Sequence, residues 1–202
     1  MSNVGCLRLL SIDFEGGYLL SRLKKQLVVL LLGMAMCAPS LMAQAQSTAY
    51  VTDMDVQVAV RAFGFAYGMP KGDMDIEIVY DPGNAVSVAS ANQLDKIIGK
   101  GKVFANRTLK ARMVLVSQIG STKSRLAYIS HGLQPSYDTI LAKAKNNKML
   151  TFSTDFDCVA SQTCVMGVRA DPTIKIEISR AATSASELEF SQALKLMVRE
   201  VE

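Results

Sequence analysis

The order of segments along the chain predicts an α/β fold: a layered sandwich with a mixed, mostly parallel sheet flanked by helices. Three observations carry it. Segments alternating with period two interleave with segments whose apolar residues recur every three or four positions. One strand segment, LKARMVLV at 109–116, becomes continuously apolar, as strands covered on both faces do. Late in the chain two strand segments follow one another closely, which makes the sheet mixed rather than purely parallel.

The elements follow in order. Residues 52–68, TDMDVQVAVRAFGFAYG, read as a helix. Thr52 and Asp55 suit a capping arrangement, Val56, Val60 and Phe63 share a face, and Gly68 and Pro70 end it. MDIEIVY at 74–80 alternates apolar and acidic residues as a strand does, and DPGN at 81–84 is a turn. A helix is expected over Ala89–Ile98 with Leu94, Ile97 and Ile98 inward, closed by GKG at 99–101. Strands are expected at 109–116 and 124–130, then a helix opened by Pro135 with Tyr137, Ile140, Leu141 and Ala144 inward. Further strands fall at 149–153, 164–168 and 173–179, the last with Ile174, Ile176 and Ile178 on one side. A helical tail closes the chain, with Ser186 and Glu189 as a capping box and Phe190, Leu194 and Met197 on one face.

The first 45 residues read as an export segment. Arg22, Lys24 and Lys25 precede the apolar run LVVLLLGMAMCAP at 27–39, and Ala43 and Ala45 form an A-x-A pattern. Basic flank, short apolar core and small-residue cleavage site are the parts of a secretory signal peptide. The run is short for a bilayer span. Cleavage is expected after Ala45, leaving a single domain over 46–202 in the periplasm. The alternatives are an uncleaved inner-membrane anchor or a buried helix. Four of the 22 basic and two of the 18 acidic residues precede Gln46, so the formal charge falls from +4 to +2. That balance makes no case for nucleic acid.

Export also decides how the cysteines read. Cys6 and Cys37 leave with the segment, and Cys158 and Cys164 remain. Two cysteines in an exported domain invite a disulfide, pinning the loop between two strands. Free thiols or intermolecular pairing stay open. A redox pair is weaker, since the spacing is not C-x-x-C. Metal binding is also weak: His131 is the only histidine, and Asp155 and Asp157 are as well explained by a polar strand end. No cofactor is expected.

Catalytic signals are few. No phosphate-cradling glycine motif and no G-x-S-x-G elbow occurs. Ser130 and His131 adjoin on a strand, where neighbours point to opposite faces, so His131 reads as a surface loop residue. Asp73, Asp75 and Glu77 read as a solvated acidic edge. Lys96, Lys100, Lys102, Arg107, Lys110 and Arg112, with Lys143, Lys145 and Lys148, read as solvated basic faces, with a contact to anionic lipid as the weaker option. These signals point away from an enzyme.

Several of these segments together resemble the YfiR-like family of exported bacterial proteins. The resemblance covers roughly 53–200 and is best over MLTFSTDFDCVASQTCVMGVRADPTIKIEISRAATSASELEFSQALKLM. Ile176, Glu177, Ile178 and Ser179 stand at the family's charged strand, followed by Ala181, Ala182, Ser191, Leu194 and Leu196. RLAYIS is similar to the family's strand of the HILYIS kind. VAVRAFGFAYGMP stands at the opening helix, with Met69–Pro70 where the family has Trp-Pro. The resemblance implies a periplasmic α/β domain, often a dimer. It also implies restraint of an inner-membrane diguanylate cyclase through its periplasmic part, and hence an influence on cyclic di-GMP and biofilm. It matches Cys158–Cys164 to the family's more carboxy-terminal disulfide.

Two functions compete. In the first, the protein binds and restrains a membrane sensor or diguanylate cyclase without catalysis, with Phe63, Phe65, Tyr67 and Met69 as contacts. In the second it is a small-ligand-binding module whose cleft lies around Ser117–Thr122 and Ser130–Gly132, near strand ends.

Overall fold

The computed structural model describes residues 49–202. The expected export segment, its cleavage point at Ala45, and Cys6 and Cys37 lie outside them. Helix α1 (Asp53–Phe63) leads into β1 (Met74–Tyr80), α2 (Ala85–Ile98), β2 (Lys102–Phe104), β3 (Arg107–Leu115) and β4 (Leu126–Ile129). Then come α3 (Tyr137–Asn146), β5 (Leu150–Ser153), α4 (Phe156–Ala160), β6 (Met166–Arg169) and β7 (Lys175–Ser179). Short helices α5 (Arg180–Ala185) and α6 (Gln192–Lys195) precede β8 (Arg199–Val201).

The strands form one sheet in the order β2-β3-β1-β4-β5-β6-β7-β8. The run from β3 to β6 is parallel. β2 and β7 pair antiparallel with β3 and β6, and β8 returns parallel to β7. This is the expected mixed, mostly parallel α/β sheet. Its order reverses between β1 and β4, which places a crevice at their carboxyl ends.

Two cores sandwich the sheet. On the first face Val56, Val60 and Phe63 of α1 and Leu94 and Ile98 of α2 cover Ile76, Ile78, Leu126, Tyr128, Leu150, Phe152 and Met166. Phe63 and Tyr128 each set an edge against Phe152, with centroids 5.1 Å and 5.3 Å apart. Burying each such ring contributes roughly 1.5–3 kcal/mol. On the second face Ile140 and Ala144 of α3 and Cys158 and Val159 of α4 cover Val79, Ala127 and Ile129. Gly167 lets α4 lie close to β6, because a Cβ there would stand 2.8 Å from Val159 and 2.9 Å from Phe156.

Local chemistry explains where the elements begin. The expected Thr52–Asp55 capping box is present. Asp55 also accepts a 2.6 Å bond from the Ala170 amide, tying α1 to the end of β6. Helix α2 starts four residues earlier than expected because the Asn84 side chain accepts from the Val86 and Ser87 amides.

Other elements depart from expectation. α1 stops at Phe63, and the chain beyond it pairs with residues 189–191 instead of continuing as helix to 68. GKG leads into a hairpin, β2–β3, that turns on Ala105 and Asn106, both at positive φ. The tail is not one helix: Ser191, not Ser186, caps α6, the chain ends in β8, and Met197 is 67% exposed. Ile174 lies before β7 and is exposed. The loop closed by the cysteines holds a short helix, capped by Asp155, that carries Cys158.

One buried feature replaces a surface reading, and a second bears out the expected bridge. Glu77 is not part of a solvated edge. It is fully buried, and its carboxylate accepts from the Gly120 amide at 2.8 Å and from the Thr122 amide and hydroxyl. Cys158 and Cys164 are joined in a disulfide inside the second core.

Both features predict measurable stability losses. Glu77→Ala leaves two backbone N–H groups without their acceptor and is expected to cost about 1–3 kcal/mol in urea unfolding. Cys158→Ser/Cys164→Ser removes a short cross-link and is expected to cost about 2 kcal/mol in the same assay. Unreduced protein that alkylates at both cysteines contradicts the bridge.

Candidate functional sites

The carboxyl ends of β1, β4, β5 and β6 bring together residues from five segments. Asn84, at the start of α2, donates 2.8 Å to the Gly132 carbonyl just past β4. Gly132 has φ +77, and a Cβ there would stand 3.0 Å from the Asn84 amide nitrogen, so the close approach needs glycine. Arg169, ending β6, donates to the Thr154 carbonyl at 2.8 Å and to the Ala49 carbonyl at 3.4 Å.

The Thr154 hydroxyl organises the centre. It donates to the Tyr50 carbonyl at 2.7 Å, and a carbonyl can only accept. Thr154 has one hydrogen, so its other two contacts must donate to it: the Tyr128 hydroxyl at 3.0 Å and His131 Nε2 at 2.8 Å. The Tyr128 hydroxyl then accepts from Ser90 at 3.1 Å, and Ser90 accepts from the His131 amide at 3.3 Å. Neutral His131 therefore carries its proton on Nε2. The Ser130 hydroxyl makes no hydrogen bond to either ring nitrogen, so Ser130 and His131 are not joined as nucleophile and base in this structure. Burial pushes the Tyr128 phenol up to about 12. Burial also holds His131 below its ordinary value, with Asp155 pulling the other way and Arg169 reinforcing the shift.

His131 is thus half-buried and engaged rather than a surface loop residue. The Tyr50 ring packs on it with centroids 5.2 Å apart, and the Tyr50 amide donates to Gln93 Oε1 at 2.9 Å. The chain's own Ala49–Tyr50 segment straps this end of the sheet. Ser130 is 2% exposed, and its hydroxyl has no partner. The other expected cleft wall, Ser117–Thr122, does not join it. The segment runs down the second face of β1, anchored on Glu77, and Ser124 donates to the Asp75 carbonyl.

A second cluster lies toward the amino ends of the strands. Residues 64–70 are pinned on both sides. Ala66 bridges Phe190, the Tyr67 amide donates to the Glu189 carbonyl at 2.9 Å, and the Ser191 amide donates to the Phe65 carbonyl at 2.9 Å. Arg125 donates to the Gly68 carbonyl and Arg107 to the Pro70 carbonyl. Phe65 and Tyr67 are held in solvent, 36% and 59% exposed. Phe63 belongs to the core and is no surface contact. Met69 is half-buried and lines a cavity of about 160 Å³ with Asp73, Met74 and Lys123–Leu126.

Cys158 and Cys164 lie in the second core, apart from both clusters. Asp155 caps α4 and accepts from Gln134, and no group of three or more potential metal ligands occurs among the described residues. Sequence reasoning missed Tyr50, Ser90, Gln93, Thr154 and Arg169. Only Thr154 carried a signal, as a hydroxyl at the carboxyl end of a buried strand.

No protein-family model and no curated protein matches the chain. Two solved structures are similar in fold. One is a conserved domain protein from Vibrio cholerae O1 biovar El Tor, at TM-score 0.51 and 14% identity. The other is an ABC domain from Streptococcus pneumoniae in complex with L-Trp, at TM-score 0.50 and 12% identity. Each alignment covers 74% of this chain and 60% of the other, so the chain spans less than two thirds of either protein. At such identities the likeness is one of fold: both support an α/β domain.

The His131 environment predicts a pH dependence. Its folded value lies below the ordinary 6.5, so the unfolded chain takes up the proton first as pH falls. This contribution to stability is complete above about pH 6.5 and is lost progressively below it. His131→Gln, which keeps an N–H donor toward Thr154, is expected to remove that part of the decline in urea midpoints measured against pH. An unchanged slope contradicts the assignment.

Proposed function

We propose that this is an exported, non-enzymatic regulatory protein of the YfiR-like kind that binds and restrains a membrane sensor or diguanylate cyclase. One observation carries the reading: Phe65 and Tyr67 are held in solvent by a segment tied down through backbone bonds to 189–191. Aromatic side chains carried on a backbone already tied down cost less ordering on binding, and tyrosine is enriched among residues that dominate protein interfaces. No described helix is long and apolar enough to cross a membrane.

A second reading is a small-ligand module. It is favoured by the fold shared with a domain solved with L-Trp and by the polar cluster under Tyr50. A ligand there has to displace the Ala49–Tyr50 strap, whereas the aromatic pair is already free.

The test is cellular. Deleting the gene is expected to raise cyclic di-GMP in its bacterium, and the wild-type gene to bring it down. Phe65→Ser/Tyr67→Ser is expected to be exported and folded yet fail to lower it, with partner binding weakened at least about 30-fold for a loss of two or more kcal/mol. Unchanged cyclic di-GMP on deletion removes the cyclase reading. A fully active double variant removes the contact site.

A further inference from the structure

The β3–β4 connection leaves part of the sheet open. Parallel strands are usually joined by a helix that covers the sheet. Here residues 116–125 contain only a single 3-10 turn, Val116–Gln118, and the rest lies against β1 through Glu77 and Asp75. Beside it the second face meets solvent only near the amino halves of β1 and β3, at Asp75, Lys110 and Arg112. Register pairs Asp75 with Lys110 and Glu77 with Arg112, so these side chains share that face. Val103 of β2 is opposite Thr108 on the same face and is 64% exposed.

A cavity of about 260 Å³ lies there, lined by Asp75, Glu77, Lys110, Arg112, Thr122 and Lys123, among others. It adjoins the Met69 cavity through Asp75, Lys123 and Ser124, which line both. The two make one trough from the Phe65–Met69 segment across the open face. Its cations are Lys110, Arg112, Lys123 and Arg125. Glu77 is consumed by the loop, and Lys110 meets Asp73 only at 3.8 Å between two exposed side chains. Among the described residues Arg112 and Lys123 have no carboxylate partner. The amide bonds to Glu77 do not cancel its charge, so four cations stand against three carboxylates, Asp73, Asp75 and Glu77, and Met69 and Met74 supply an apolar end.

We propose that this trough seats an acidic segment of the partner protein, its carboxylates on Arg112, Lys123 and Lys110 and an apolar side chain at Met69. The inference deepens the protein-contact reading and rests on it for the identity of the partner. Charge complementarity selects the occupant. The basic stretch at 96–112 thereby divides, with Lys110 and Arg112 in the trough and Lys102 paired with Asp53 of α1.

The probe is a short fluorescein-labelled peptide of glutamate and leucine, titrated into the full mature protein by anisotropy, with a lysine–leucine peptide as control. The glutamate peptide is expected to bind, and to weaken as salt rises. Arg112→Glu/Lys123→Glu is expected to weaken it at least about 30-fold, while Asp75→Asn, which removes a repelling carboxylate, tightens it about threefold. All three positions are exposed, and circular dichroism confirms their folding. Equal binding of both peptides overturns the trough, as does a double variant that binds like wild type. So does stronger binding to phosphatidylglycerol vesicles than to the peptide, which marks a lipid face. If Arg112→Glu/Lys123→Glu still lowers cyclic di-GMP while Phe65→Ser/Tyr67→Ser does not, the trough fails and the regulatory reading stands. If gene deletion leaves cyclic di-GMP unchanged and the peptide still binds as expected, the trough stands and that reading fails.

Discussion

Burial of β4 and β5 on both faces is the constraint from which the rest follows. All eight residues of the two strands are buried. A polar group placed there cannot reach water and must find a partner within the protein. Thr151 donates to the Thr163 carbonyl and Ser153 to the Ile129 carbonyl. Tyr128 finds Ser90 and Thr154. Because Thr154 spends its single proton on Tyr50, the direction of every bond in that chain is settled, including the tautomer of His131. The chemistry at the carboxyl end of the sheet is therefore a consequence of packing in its middle.

Glu77 exerts a comparable influence on the other half. A buried carboxylate needs donors, and here they come from backbone amides of the β3–β4 connection. Those bonds hold the connection flat against β1, where a crossover helix would otherwise stand. The outcome is an asymmetric sandwich. The second face is roofed by α3 and α4 over the centre and open only at Asp75, Lys110 and Arg112, near the amino halves of β1 and β3. One substitution class, an acid in the middle of the first strand, thus links core chemistry to the shape of the surface.

The layered class was legible because period two and period 3.6 are visible without long-range information. MDIEIVY and the Thr52–Asp55 cap show how far that goes: both stand where the spacing put them. What failed depended on contacts far along the chain. Phe65–Tyr67 continues a helical pattern, yet the ladder offered by 189–191 captures it. Glu77 looks like Asp75 in sequence, and only the returning loop separates a buried acid from a solvated one. Ala105 and Asn106 form a tight turn without the usual glycine, so the hairpin carried no signal. Among the proposed contacts, Phe65 and Tyr67 stand out in the sequence as aromatics in excess of one helical stripe. Tyr50 and Arg169 do not, since neither is part of a motif and each meets residues more than a hundred positions away.

Open α/β sheets ordinarily bind at the carboxyl ends of their strands, because helix amino termini and flexible loops gather there. In this protein that end is filled by its own atoms. Asn84 occupies the start of α2, Arg169 is turned onto two carbonyls, and Tyr50 covers His131. Satisfying these groups internally lowers what an incoming ligand can gain, since each new bond replaces one already made. The amino end differs in kind. Phe65 and Tyr67 gain burial on contact, and Arg112 and Lys123 gain charge partners, with no internal bond surrendered. Where two surfaces of one fold compete for a role, the one with unspent interactions has the larger free energy to offer. On the proposed reading that surface is the Phe65–Met69 segment and the open face beside it.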